Sequence, residues 1–423
     1  MDAITLQNAS PMPAPTWHRL SMNGADIETP ADLIQAHDAV VEVPEGESAL
    51  SVTAVALTDL EGDAFDTAVD ALSARTYATR ISAQDLAGEA DDDTDGVRDT
   101  AYSRYQIDAA ETERAASVAA AFETGMGADA RAFLLQAAGE VIVVEAPEGS
   151  EGAATVRLNG IDGAVNAAAV DVVAHEDAHV DIAIAFDTPT EGVGAIGATL
   201  RVFAGKDAVV RVTTIQTADD SWQCFDDEGY VLDESAKVEV RHTVLGAGES
   251  YTGLACDLRG ASSDIDVDTR YLGHGENELD FNYIIRHHGQ RTMSELNANG
   301  VLAGESVKTL RGTIDLIRGC KGANGYESET VLIADDGAHN RTVPVILCSE
   351  DDVAGNHGAT IGHIRPEQKF YLACRGLSPD AAEAMFARAQ IENAEINAID
   401  ETVRASVVRL GKTLLGDYEG VEQ

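Results

Sequence analysis

Lysine is scarce in this 423-residue chain: only six of its 29 basic residues are lysines, and together they face 73 aspartates and glutamates, for a formal net charge of -44. A field of that sign repels phosphate, which removes nucleic acid and anionic membrane surfaces from the expected partners. No run of eighteen apolar residues occurs, so no transmembrane helix is expected. The opening residues carry neither a basic segment nor an apolar run, so no secretion signal is expected either. The cysteines number five, are widely spaced and never form CxxC. That excludes a disulfide framework and a paired-cysteine metal site, and points to a reducing cytoplasm. Phosphate-binding loops of the Walker type and GxSxG elbows are missing, leaving nucleophilic catalysis without a carrier. Aromatic residues make up only 5%, in keeping with a narrow aliphatic core, while 44% hydrophobic residues supply ample material for one.

The chain divides into three parts: a mixed and helical region over 1–140, a β region over 141–364 and a helical region over 365–423. In the first, prolines break the sequence until two Ala-rich segments, 108–122 and 129–138, predict a helical hairpin turning at Gly125-Met126-Gly127. In the second, short runs such as Val180-Asp181-Ile182-Ala183-Ile184-Ala185-Phe186 alternate with period two and read as strands. Many stop at a glycine: Gly246, Gly260, Gly273, Gly289, Gly304 and Gly319 are separated by 14, 13, 16, 15 and 15 residues. Such spacing suits a parallel β-helix, in which each glycine permits a tight corner and successive coils pair edge to edge. A β-sandwich is the competing fold, favoured by hairpin-type pairs at Asn159-Gly160, Asp162-Gly163 and Asn324-Gly325. Solenoid ends need covering, and the N-terminal hairpin is a candidate for one of them. In the third part Pro366 to Leu372 reads as one helix, Ser378-Pro379 as the capped start of another, and 401–415 as an amphipathic helix.

Three motif matches have bland explanations. His175-Glu176-Asp177-Ala178-His179 satisfies the zincin pattern, but zinc binding by that pattern needs a helix, and strand-like runs flank it on both sides. A surface turn is expected there. Gly192-Val193-Gly194-Ala195-Ile196-Gly197 matches the dinucleotide fingerprint, yet is followed by a strand pattern rather than a helix, so a flexible loop is expected. Asp91-Asp92-Asp93-Thr94-Asp95-Gly96 fits half a calcium loop, but Tyr102 stands where a bidentate Glu is needed. A solvated acidic loop is expected, and calcium is not.

The most distinctive stretch is Cys348-Ser349-Glu350-Asp351-Asp352-Val353-Ala354-Gly355-Asn356-His357-Gly358-Ala359-Thr360-Ile361-Gly362. It is followed by Pro366-Glu367-Gln368-Lys369-Phe370-Tyr371-Leu372 and Arg375-Gly376-Leu377-Ser378. In order and spacing these segments resemble the C-terminal signature of the SufB/SufD family of iron–sulfur cluster assembly proteins. Pro15-Thr16-Trp17-His18-Arg19-Leu20, Asn297-Ala298-Asn299-Gly300 and Leu310-Arg311-Gly312 look like further family segments.

The resemblance implies a right-handed parallel β-helix between helical regions, in agreement with the glycine spacing. It also implies a non-enzymatic scaffold that joins a SufB-like subunit through the end of the β-helix and assembles with SufC, an ABC-type ATPase. His357 matches the histidine placed at that junction and implicated in acquiring iron or building a transient, shared cluster. Imidazole suits iron, though a histidine in an interface can equally be a packing residue. Cys348 is a second candidate ligand if it lies on the same face of the last coil, its alternative being a small buried hydrophobe. Phe370, Tyr371, Leu372 and Arg375 fall where the ATPase is expected to dock, or else cap the solenoid. Two departures point to the SufD subtype: Ala338 stands where SufB has a sulfur-accepting cysteine before Thr342-Val343-Pro344, and Gly358 replaces the carboxylate after the histidine. A self-sufficient homodimeric scaffold and, from a different class, a β-helix polysaccharide lyase are the alternatives.

Overall fold

A strand too short to fold back on itself, ended by a tight corner, finds its backbone partners one coil away. The computed structural model builds the molecule in this way, and it describes residues 3–14, 16, 22–30, 32–43, 49–57, 65–72 and 122–421. The acidic loop at 91–96, the helix expected over 108–122 except Phe122, and most of the segment 15–20 lie outside the described residues.

Sixteen strands alternate between two sheets, two per coil, giving eight coils. One sheet holds β6 (Glu140–Ala146), β8 (Ala164–Ala174), β10 (Gly194–Ala204), β12 (Trp222–Leu232), β14 (Glu249–Leu258), β16 (Glu278–His287), β18 (Val307–Leu316) and β20 (His339–Cys348). The other holds β7 (Glu151–Asn159), β9 (His179–Asp187), β11 (Val209–Thr217), β13 (Lys237–Val244), β15 (Asp264–Gly273), β17 (Met293–Leu302), β19 (Asn324–Ile333) and β21 (Ala354–His363). Within each sheet these strands pair in parallel, so Ile196 stacks on Cys224 and Ile182 on Val212. The fold is therefore the parallel β-helix. The glycine interval of 13 to 16 residues corresponds to half a coil, one strand and its corner.

Every second residue points inward, and one continuous apolar core runs from Ile142 to Ala338. The corners stack as the strands do. At one series of them a residue in the left-handed region recurs once per coil at Asp177, Asp207, Ser235, Ser262 and Arg291. Each donates its N–H to a carbonyl of the next coil: Lys206, Glu234, Ala261, Gln290 and Lys321. The His175 to His179 motif is the first of these turns; Glu176-Asp177 form the bend, and His175 Nε2 lies 2.6 Å from Glu145 Oε1. At another corner a Cβ on Gly289 would fall 2.1 Å from the carbonyl oxygen of Gly260, so only glycine allows the coils to approach this closely. Asn159 ends β7, Gly160 and Asp162-Gly163 lie in the corner between β7 and β8, and Asn324-Gly325 open β19. None of these pairs makes a hairpin.

The N-terminal region contributes β1 (Ala3–Ala9) and β2 (Ala25–Pro30), an antiparallel pair, and β3 (Ile34–Ala36), β4 (Val40–Glu42) and β5 (Ser51–Ala56), which join the solenoid sheets. Helix α1 (Ala128–Ala138) does not cover an end. It lies on the outer face of the first sheet, against Val165, Ala167, Ala169 and Ala195. Small outer residues let it in: a Cβ on Gly197 would meet Leu134 at 2.7 Å. The first coil is closed by β4 and β5, which run antiparallel to β7 and β6, with Ala39, Val41, Val43 and Leu50 packed on the core.

Helices α2 (Pro366–Cys374), α3 (Pro379–Ile396) and α4 (Glu401–Leu415) follow the last coil. Ser378 Oγ accepts from the Ala381 N–H at 3.1 Å, the cap its sequence predicts. Helices α3 and α4 run along the side of the solenoid, not across its end. They cover an apolar stripe laid down about once per coil by Ala185, Ile215, Leu245, Leu272, Val301 and Ala334. Among the described residues no helix is long and apolar enough to cross a membrane.

Residues 122–127 seat on the outside of β14, where the backbones nearly touch: a Cβ on Gly125 would lie 1.8 Å from the Leu254 nitrogen. Gly125→Ala is therefore expected to cost about 2–3 kcal/mol through overpacking, read as a lower denaturant midpoint in equilibrium unfolding. An unchanged midpoint would mean that this segment does not hold the N-terminal region on the sheet.

Candidate functional site at the open end

The first coil is closed by the chain's own antiparallel strands, but β20 and β21 each have a single neighbour among the described residues. Strand β21 is exposed along almost its whole length. Its register on β19 sets Gly355, His357, Ala359 and Ile361 over Gly325, Glu327, Glu329 and Val331, the buried line of β19. A Cβ on Gly355 would face Ile346 and Leu316 at 3.1 and 3.2 Å, which fixes this line as the inward one. His357 therefore belongs to the core face of the helix and is exposed because no described strand lies over it. Ile361, on the same line, is 46% exposed.

On β20 the inward line is Asn340, Thr342, Pro344, Ile346 and Cys348, in register with Lys308, Leu310, Gly312, Ile314 and Leu316. Cys348 is thus on the inner face, over Leu316. It is exposed rather than a buried hydrophobe, and its thiol donates to the Glu350 carbonyl at 3.2 Å. Because Gly355 lies against Ile346, His357 is level with Pro344. Cys348 stands four residues further along, roughly 13 Å at strand rise, so the two share a face without touching.

Beneath His357 the interior is polar. Lys308 and Glu329 form a buried ion pair, and Thr342 Oγ1 donates to the second Glu329 oxygen at 2.7 Å. Glu327, directly under His357 in the ladder, is 2% exposed, and its Oε2 takes no hydrogen bond from a described residue. Its carboxyl rests on Gly312, where a Cβ would come within 2.4 Å of Oε1. Burial, and then the neighbouring Glu329, push Glu327 up to about 7, with Lys308 pulling the other way. These groups were missed in the sequence, although Glu327 and Glu329, two apart in a strand, necessarily share a face.

Helix α2 has no buried residue. Phe370 and Tyr371 are 72% and 55% exposed, and the Arg375 guanidinium stacks on the Tyr371 ring at 5.1 Å. Leu372 is half-buried. This group therefore does not cap the solenoid: α2 touches α3 and leaves the inward line of β20 and β21 uncovered.

A two-sheet parallel β-helix with one self-closed end, and one open end lined by an imidazole over buried carboxyls, defines the structural class. The family model described as the SufBD core domain of SUF-system FeS cluster assembly matches residues 156–390. The chain belongs to the SufB/SufD family of iron–sulfur cluster assembly proteins. It is 26% identical to the iron–sulfur cluster assembly protein SufD of Bacillus subtilis over 157 residues, 37% of this chain and 36% of that protein. A SufBD family protein of Mycobacterium leprae is 26% identical over 202 residues, 46% of this chain and 22% of the relative. One from Staphylococcus saprophyticus is 24% identical over 223 residues, 52% of this chain and 48% of the relative. The matched stretches span less than half the length of each of these relatives.

Glu327 keeps a proton that the unfolded chain releases near 4.5, so its contribution to stability falls as pH rises from about 4.5 to about 7 and is flat outside that window. The expected loss across the window is on the order of 3 kcal/mol. Glu327→Gln should match the parent below the window and exceed it above pH 7 in denaturant unfolding. Parallel pH profiles for the two proteins would show that the carboxyl is not held protonated.

Proposed function

We propose that the chain is a SufD-like, non-enzymatic scaffold subunit that pairs with a SufB-like protein through β20 and β21 and holds iron or a nascent iron–sulfur cluster at the junction. The cluster is cargo, shared with the partner and passed on. The observation that carries this reading is the position of His357, on the inner face of an uncovered last coil, where a docking subunit would bury it. An imidazole there supplies a borderline nitrogen ligand for iron. Cys348, on the same face and at the edge of the same coil, is the second candidate ligand, reached from the partner's side of the junction rather than from His357.

The SufD subtype is supported by Ala338, which lies buried in the corner before β20 and offers no thiol for sulfur transfer. Partnership with a SufC-like ABC ATPase is supported by α2, whose Phe370, Tyr371 and Arg375 form an apolar and cationic surface on an otherwise acidic chain. The five cysteines are free thiols, which supports a reducing cytoplasm. Membership of the family takes the place of the polysaccharide lyase alternative.

Complementation of a strain lacking its own SufD tests the site. His357→Ala is expected to lower cluster-dependent enzyme activity at least tenfold while the purified variant keeps its β-sheet circular dichroism and its partner. Activity equal to the parent would remove His357 from the site. Replacing Phe370 and Tyr371 together by Ala should abolish co-purification with the ATPase and leave co-purification with the SufB-like subunit intact; retention of both would move the ATPase surface elsewhere.

A further inference from the structure

Four coils back from the open end, the interior of the β-helix holds a second polar group that the junction does not use. Asp226 and Glu228 point inward from β12, and His242 points inward from β13; all three side chains are buried. One oxygen of each carboxylate and one imidazole nitrogen lie within 4.8 Å of one another, and among the described residues this is the only cluster of three metal-capable side chains so arranged. We propose that Asp226, Glu228 and His242 bind one divalent first-row transition metal inside the solenoid, a site independent of His357 and of the function proposed for the open end.

The first argument is the unmet demand of the carboxylates. Neither Asp226 oxygen takes a hydrogen bond of normal geometry, although Thr214 and Gln216 stand beside it, and Glu228 Oε1 is also without a partner among the described residues. Three other buried carboxylates face a cation: Asp171 meets Arg201, Asp280 meets Arg311 and Glu329 meets Lys308. Here no lysine or arginine of the described residues forms an ion pair, and the only charged contact is His242 Nε2 to Glu228 Oε2 at 3.1 Å. Two buried carboxylates without a lysine or arginine partner are costly to leave unneutralised, and a bound cation would neutralise them.

The second argument is the imidazole. His242 Nδ1 lies 3.2 Å from Thr269 Oγ1 and 3.1 Å from the Tyr283 hydroxyl, which also stacks its ring on the imidazole at 5.6 Å. Two hydroxyls on Nδ1 fix the ring and leave Nε2 directed at the carboxylates, the outer-shell arrangement that orients a metal-binding histidine. Tyr230 donates a 2.8 Å hydrogen bond to Glu228 Oε2, the oxygen that also meets His242 Nε2, and leaves Oε1 free for a metal.

The third argument is donor chemistry. Ligand distances of about 2.0–2.2 Å require donor atoms about 3.4 Å apart for tetrahedral geometry, and rotating either carboxylate closes the present spread. Two carboxylates and one imidazole suit Fe2+, Mn2+ or Zn2+. Calcium takes six to eight oxygens, and magnesium favours oxygen and water over imidazole. A site this buried loads while the coils close, and its metal then resists chelators in the folded protein.

The test uses the full chain expressed in media supplemented with iron, manganese or zinc, then dialysed against EDTA and analysed by elemental mass spectrometry. About one equivalent of metal per chain is expected to persist. With manganese, electron spin-echo spectroscopy should detect one coordinating imidazole nitrogen in the unmutated protein, a readout that does not depend on any variant folding. Asp226→Asn and His242→Gln should each lower the retained metal at least tenfold, while His357→Ala retains it, which separates this site from the open end. Less than a tenth of an equivalent of all three metals in the folded parent, no nitrogen coupling, or undiminished metal in folded Asp226→Asn would overturn the proposal.

Discussion

The backbone ladder between coils is the interaction on which the rest of this structure depends. A strand in a parallel β-helix has its N–H and C=O groups satisfied only when another coil lies on each side of it. The corners, the left-handed residues at Asp177, Asp207, Ser235, Ser262 and Arg291, and the close approach of Gly289 to Gly260 all keep successive coils in register. At the beginning of the solenoid β4 and β5 end the ladder by pairing in the opposite direction. At the other end no described strand does so, and β21 presents a free edge together with inner side chains.

In-register stacking also decides what the interior can hold. Apolar residues stack on apolar residues through most of the molecule, and the same rule concentrates polar residues where they occur. One concentration, Lys308, Glu327, Glu329 and Thr342, lies directly under the last coil, where His357 continues the line. The other, Asp226, Glu228 and His242, lies deep in the helix, closed off by aromatic neighbours such as Tyr283 and Phe281. A buried carboxylate without a cation is costly to stability, which makes both places departures from the packing logic that built the fold.

Much of this was legible in the residues. The glycine interval announced a repeat, the C-terminal helix begins and ends at Glu401 and Leu415 as its amphipathic pattern predicts, and the zincin-like motif falls on a turn as its flanks required, whereas the dinucleotide-like segment, expected as a flexible loop, enters the buried strand β10 at Gly194. The repeat was harder to recognise as half-coils because several left-handed corner positions are filled by Asp, Ser or Arg rather than Gly. Asn159-Gly160 suggested a hairpin because a dipeptide carries turn geometry but not the direction of the next strand. The role of α1 was misjudged for a related reason: its sequence predicts a helix, whereas its seat on the outer face depends on small residues such as Ala167 and Gly197, far along the chain. The interior carboxylates were invisible to a period-two reading, which separates two faces without saying which is buried when both carry charge.

The central claim is that the uncovered last coil is the working end of the molecule, completed by another subunit. Amide hydrogen exchange along β19 and β21, measured on the isolated chain and on its complex with a SufB-like partner, tests it most directly. Alternate amides of β21 should exchange rapidly in the isolated chain, those of β19 slowly, and the β21 amides around His357 should become protected when the partner binds. Protection of β21 that is already complete in the isolated chain, or unchanged in the complex, would contradict the account.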